Sequence, residues 1–133
     1  MNTDLKHGLI TEQILGVFYD VYNELGHGFL ESVYHRAFLT ALRAKGLKVC
    51  SRVAIPVWFR GERVGHFEAD LLVEDCVLLE LKAARMLDSS HRAQLMNYLR
   101  ATEIEVGLLL NCGEKPEFKR LIFDNLKKKT RNP

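Results

Sequence analysis

Asp70, Glu80 and Lys82 are the residues of this sequence best suited to chemistry. Each interrupts a run that is otherwise largely apolar: Phe67-Glu68-Ala69-Asp70-Leu71-Leu72-Val73 carries the first acid, and Val77-Leu78-Leu79-Glu80-Leu81-Lys82 carries the second acid and the lysine. Ionised side chains are costly to bury and are rarely found on inner strands without a partner or a metal. Two carboxylates are hard oxygen donors suited to Mg²⁺ or Mn²⁺, and Mg²⁺ typically keeps several waters and takes phosphate oxygens as further ligands. Such an ion lowers the pKa of a bound water and offsets the charge that develops at phosphorus during phosphodiester hydrolysis. A neighbouring lysine can orient the attacking water or stabilise the added negative charge.

For these groups to meet, the strands must be in one particular register. Side chains alternate along a strand, so Glu80 and Lys82 share a face, ~6–7 Å apart along the backbone. A two-residue loop at Glu74-Asp75 would pair Asp70 with Leu79 and send the two acids to opposite faces. A three-residue connection, Glu74-Asp75-Cys76, would pair Val73 with Val77 and set Asp70 opposite Glu80. The chemical reading therefore requires an odd loop or a bulge. In that register Glu68 faces Lys82, and a plain Glu68–Lys82 cross-strand pair is the competing, metal-free reading.

The elements that must position these residues follow from periodicity. Ile14, Val17, Phe18, Val21, Tyr22 and Leu25 mark one face of a helix from Thr11 to Leu25, with Thr11 as its N-cap. After Gly26-His27-Gly28, a second helical pattern runs through Leu30, Tyr34, Ala37, Phe38, Ala41 and Leu42 and stops at Gly46. From Lys48 the pattern becomes extended. Val53 to Phe59 reads as a strand whose Pro56 assigns it to an edge. Arg60-Gly61-Glu62 is a turn, Arg63 to Val73 the returning strand, and Cys76 to Leu81 a third strand buried on both faces. Ser89 or Ser90 caps a helix ending near Ala101, and Glu105 to Asn111 is another buried strand. Phe118 to Phe123 reads either as a last short strand or as a helical turn. The sum is an α/β protein with a mixed sheet covered by helices.

At 133 residues, 47% apolar and 27% charged, the chain has the size and composition of one soluble globular domain, 1–133. A net charge of +2 does not by itself announce nucleic acid, and the excess is partly local, at Lys127, Lys128, Lys129 and Arg131. That basic run, within a tail over 124–133, reads as a solvated end that could add non-specific phosphate affinity. Cys50, Cys76 and Cys112 form no CxxC pair, and their odd number without a secretory leader implies reduced thiols in a cytoplasmic protein. No apolar stretch is long enough to span a bilayer. His27, His35, His66 and His91 lack zinc-ligand spacing. Trp58 and Phe59, beside Arg60 and Arg63, could stack bases, although a packed strand is the commoner reason for such residues.

Asp70…Glu80-Leu81-Lys82 resembles the PD-(D/E)xK nuclease signature, with Ala69 where the signature has proline. Gly28-Phe29-Leu30-Glu31-Ser32-Val33-Tyr34 matches the GxxExxY motif that names a family of small proteins in that superfamily. Gln94-Leu95-Met96-Asn97-Tyr98 looks like the QxxxY helix of nucleases of the RecB type. These motifs stand in the expected order from about Leu9 to Phe123. The resemblance implies a restriction-endonuclease-like core, αα-βββ-α-β, and a Mg²⁺- or Mn²⁺-dependent hydrolase of nucleic acid, with DNA the favoured substrate. It implies that Glu31, Asp70 and Glu80 hold the metal, with the Leu81 carbonyl as an extra ligand. It also implies that Lys82 is catalytic and that Gln94 and Tyr98, on one helical face, position phosphate or the lysine. On spacing alone Glu31 reads equally as a first-turn acid favoured by the helix dipole. Tyr34 reads as core. Nucleases of this size often cut both strands as homodimers. The rival reading is a catalytically silent module of the same fold that binds nucleic acid or a protein.

Overall fold

A computed structural model describes residues 6–128. Two helices, α1 (Gly8–Leu25) and α2 (Glu31–Ala44), precede three strands, β1 (Val49–Phe59), β2 (Glu62–Val73) and β3 (Val77–Lys82). Helix α3 (Ser89–Ala101), strands β4 (Val106–Cys112) and β5 (Pro116–Ile122) and a short 3₁₀ turn (Asn125–Lys127) follow. The sheet order is β1-β2-β3-β4-β5; β3 and β4 run parallel and every other neighbour is antiparallel. The parallel pair requires a crossover, and α3 supplies it. Among the described residues no helix is long and apolar enough to cross a membrane.

The sheet separates two apolar cores. Val77, Leu79 and Leu81 of β3 pack with Val17, Phe18, Tyr34 and Phe38 of α1 and α2, while Leu78 packs on the other face with Leu95 and Leu99 of α3. Strand β3 is thus central, as its two apolar faces require, and β1, which carries Pro56, is an edge strand. Phe118 to Phe123 resolves in favour of a strand, β5. Helix α3 sits close on β4 because Gly107 has no side chain: a Cβ there would lie 2.9 Å from Cδ1 of the buried Leu95. Gly107→Val should therefore lower stability by about 1–3 kcal/mol, read as a fall in the urea midpoint at unchanged slope. An unchanged midpoint would show that α3 can shift at little cost.

The later strands begin or end one or two residues from the expected bounds, and larger differences fall at two helix starts and at β1. Helix α1 begins at Gly8, after the left-handed His7 (φ 54°), so Thr11 is not its cap. Instead the Thr11 hydroxyl donates to the Gly8 carbonyl. Helix α3 is capped by Asp88 rather than by a serine, because its carboxylate accepts the Ser90 and His91 amides while the His91 ring accepts the Asp88 amide. Strand β1 begins four residues before Val53, at Val49. Lys128 is tied to the Thr102 and Ile104 carbonyls; Lys129 and Arg131 lie outside the described residues.

Candidate active site

The turn after β2 has the odd length the chemistry requires. Glu74 (φ 52°) and Asp75 (φ 56°) are both left-handed, and Cys76 adds a third loop residue. Val73 therefore pairs with Val77, Leu72 with Leu78, and Leu71 with Leu79. One step further, at Asp70 and Glu80, the regular β2–β3 ladder stops and the side chains take over its hydrogen bonds. The Asp70 amide donates to Glu80 Oε1 (3.0 Å), and the Leu81 amide donates to Asp70 Oδ2 (2.7 Å). Each carboxylate satisfies a backbone donor on the opposite strand, so the two acids are held at the point where β2 and β3 part.

The β1–β2 pair changes faces at the same level. Val53, Ile55 and Val57 face the α3 core, yet Val49, at the same parity, faces the α1–α2 core; likewise Ala69 against Leu71 and Val73. Strict alternation would keep each set on one face. The switch falls between Ser51 and Val53 and between Ala69 and Leu71, where the Arg52–Asp70 step is missing from the ladder. Arg52 adopts φ 56°, a left-handed value uncommon for a residue with a Cβ. This twist opens Asp70 to the α2 side. There a cleft of about 240 Å³ is lined by Glu31, Ser32 and His35 of α2 and by Arg52, Asp70 and Leu81.

Glu80 lies behind Asp70 and is only 3% exposed. Burial, and next the Asp70 carboxylate beside it, push the Glu80 carboxyl up to about 8, against the pull of the Asp70 amide and Lys82. Lys82 Nζ is 3.8 Å from Glu80 Oε2 and donates to Gln94 Oε1 at 2.8 Å. Gln94 is thus the hydrogen-bond acceptor of the lysine. Tyr98, one turn on, is buried; burial and then the Glu80 and Asp70 charges raise its phenol above the usual range. Glu68 pairs with Arg52 (3.6 Å) rather than with Lys82, so the metal-free cross-strand pair does not form.

Of the seven expected site residues, Asp70, Glu80, Lys82, Gln94 and Tyr98 form one connected group, and Glu31 and Leu81 share the cleft with Asp70. Among the described residues, no three acidic, histidine or cysteine side chains are placed closely enough to hold an ion together. Glu31 is also the only acid in the first turn of α2, so its dipole-favoured position and its place on the cleft coincide. Tyr34 is core, its hydroxyl donating to the Gly26 carbonyl. Cys112 is a buried hydrophobe whose thiol burial pushes up to about 11.

Three neighbours were not among the expected site residues. His35, one turn after Glu31, is buried, bonded to Ser51 Oγ through Nε2 (2.7 Å), and lowered in pKa chiefly by that burial. Arg52 is the second. Asn111, fully buried on β4, accepts the Ala84 amide (2.9 Å) and donates to the Ala84 carbonyl (3.0 Å), anchoring the loop that leaves Lys82. A neighbouring polar residue inside an apolar strand, Leu110-Asn111-Cys112, was the available hint for the third.

A solved structure titled "Crystal structure of SSO0001" shares the fold at a TM-score of 0.56 and 16% identity, over 70% of this chain and 50% of that one. This chain therefore spans about half the length of that relative. No curated protein matches the sequence. The sequence model of the PD-(D/E)XK nuclease superfamily matches residues 9–121, which include the acid pair at the strand fork and the lysine beyond it, and the chain belongs to that superfamily.

Proposed function

We propose that this protein is a metal-dependent nuclease that hydrolyses phosphodiester bonds of DNA. The observation that carries the reading is the fork between β2 and β3, where Glu80 accepts the Asp70 amide and Asp70 accepts the Leu81 amide, beside Lys82. Two carboxyl groups crowded together, one buried, cannot both ionise cheaply without a cation. The donor set is all oxygen, as Mg²⁺ and Mn²⁺ prefer. Asp70 and Glu80 would hold the ion, with Glu31 and the Leu81 carbonyl contributing from the cleft wall. The ion would supply an acidified water and charge neutralisation at the phosphate.

The chain's own residues do the rest. Gln94 fixes the Lys82 ammonium, so that its charge is aimed before the reaction begins, which is when electrostatic stabilisation costs least reorganisation. The buried Tyr98 packs beside Phe67, with ring centroids 6.1 Å apart. Cutting both strands of a duplex calls for a second site, which a homodimer would provide.

The test is a cleavage panel over single-stranded, duplex and branched DNA and RNA, with Mg²⁺ or Mn²⁺ and Asp70→Ala as the control. DNA cleavage by the wild type, lost in Asp70→Ala, is expected. A folded wild type that cuts none of these would contradict the proposal. If it bound nucleic acid as well as Asp70→Ala does, the silent binding module would be favoured instead.

A further inference from the structure

A second cavity opens beside the carboxylate cleft. It encloses about 620 Å³, and its lining includes Arg36, Thr40 and Arg43 of α2 and Ser51 and Arg52 of β1. It shares His35 and Arg52 with the cleft, so the two are neighbours around one arginine. Three arginines line it and no acidic residue does. Arg36 and Arg43 are seven residues apart on α2, two helical turns, hence ~10.5 Å along one face. That separation lets the two side chains reach different phosphates of one strand.

The condition of Arg52 points the same way. It holds a left-handed backbone that glycine would adopt without strain. Its one described ion pair, to Glu68, is long at 3.6 Å, and both side chains are more than half exposed. Such a pair contributes little to stability. Residues held in sparsely populated conformations persist where the surroundings over-determine them, and they cluster at functional sites. Arg43 is similarly loosely engaged, 3.5 Å from the Val49 carbonyl.

We infer that the groove of Arg36, Arg43 and Arg52 is the track for the DNA sugar–phosphate backbone, with Arg52 gripping the phosphate nearest the carboxylates. The inference rests on the nuclease reading for the identity of the strand, and it adds which surface binds it and in which direction it leaves the cleft: along α2, toward the C-terminal end of that helix. Arginine suits the task because its planar fork meets phosphate oxygens with two hydrogen bonds.

The experiment measures binding of the full chain to a fluorescein-labelled 20-base-pair DNA duplex by anisotropy, in EDTA, over a series of salt concentrations. The variants are the triple Arg36→Ala/Arg43→Ala/Arg52→Gly and, on the far sheet edge, Lys119→Ala. Glycine is chosen at position 52 because it accepts the left-handed backbone, so the fold should survive; circular dichroism checks this. Each lost phosphate contact should reduce the slope of log K against log[salt] by about 0.9, so the triple variant should lose about 2.7 in slope and bind at least ~30-fold more weakly at moderate salt. Lys119→Ala should change neither. An unchanged slope in a folded triple variant, or an equal loss in Lys119→Ala, overturns the groove. The two readings fail separately: arginine-dependent binding without cleavage sinks only the nuclease, and cleavage with an arginine-independent slope sinks only the groove. A wild type that does not bind the duplex overturns the groove too.

Discussion

Replacing Lys82 with alanine should lower Mg²⁺-dependent DNA cleavage by about 10²–10³-fold, the range seen when a single pre-aimed charge or donor is removed from a transition state. The side chain is largely buried, donates to Gln94 and lies 3.8 Å from Glu80. Its ammonium is therefore fixed rather than solvated, and losing it removes stabilisation that water cannot replace. Stability should change little, because the burial that pushes Glu80 up to about 8 leaves the lysine facing a largely neutral acid at pH 7. Arginine should not rescue activity: its fork is longer, planar and shaped for bidentate contact, not for the single bond that Gln94 accepts. Gln94→Ala leaves the ammonium present but unheld, and the loss should be smaller, about 10-fold. Single-turnover rates at saturating metal separate these effects from binding. A Lys82→Ala protein as fast as wild type would remove the lysine from the chemistry.

The second large effect concerns Glu80 in the metal-free protein. An acid whose folded pKa stands above its unfolded value is stabilising to the fold while protonated, so its contribution is complete below the unfolded value of 4.5 and is lost as pH rises through about 8. Stability in EDTA should therefore fall between about pH 5 and pH 8, by an amount on the order of 3 kcal/mol from this acid pair. Glu80→Gln imitates the protonated acid: its carbonyl can still accept the Asp70 amide, and its NH₂ can donate to the Asp70 carboxylate. That variant should flatten the slope and be the more stable protein at pH 8, while losing cleavage. Urea midpoints at three pH values check it. The same proton must leave when a cation arrives, so metal affinity should rise with pH up to about 8 and binding should release close to one proton at pH 7. A wild type equally stable at pH 5 and pH 8 would mean that Glu80 ionises normally.

The sequence made the position of the acids legible because parity is a discrete property. A strand tolerates no half-step, so requiring Asp70 and Glu80 to meet dictated a three-residue loop, and Glu74-Asp75-Cys76 forms it. The central place of β3 and the edge place of β1 were readable for similar reasons, from two-sided burial and from Pro56. Arg52 was not readable. An arginine held left-handed looks like any other strand arginine, and only the face switch between Ser51 and Val53 shows that the chain turns there. His35 was hidden because an isolated histidine on an amphipathic helix has no partner in sequence; Ser51 reaches it from another element. The caps failed for another reason. Asp88, Ser89 and Ser90 are all competent, and the reciprocal bond with His91 decides among them. For α1 no side chain caps the helix at all, so a search for a capping residue could only misplace its start.

Anomalous scattering from a crystal soaked in Mn²⁺ at pH 8 tests the central claim most directly. One peak is expected at the fork, within about 2.0–2.4 Å of a carboxylate oxygen from both Asp70 and Glu80, with the Glu80 bond to the Asp70 amide loosened or exchanged. A map with no peak there, or an ion bound elsewhere while Glu80 and Asp70 keep their bonds to the Asp70 and Leu81 amides, would contradict it.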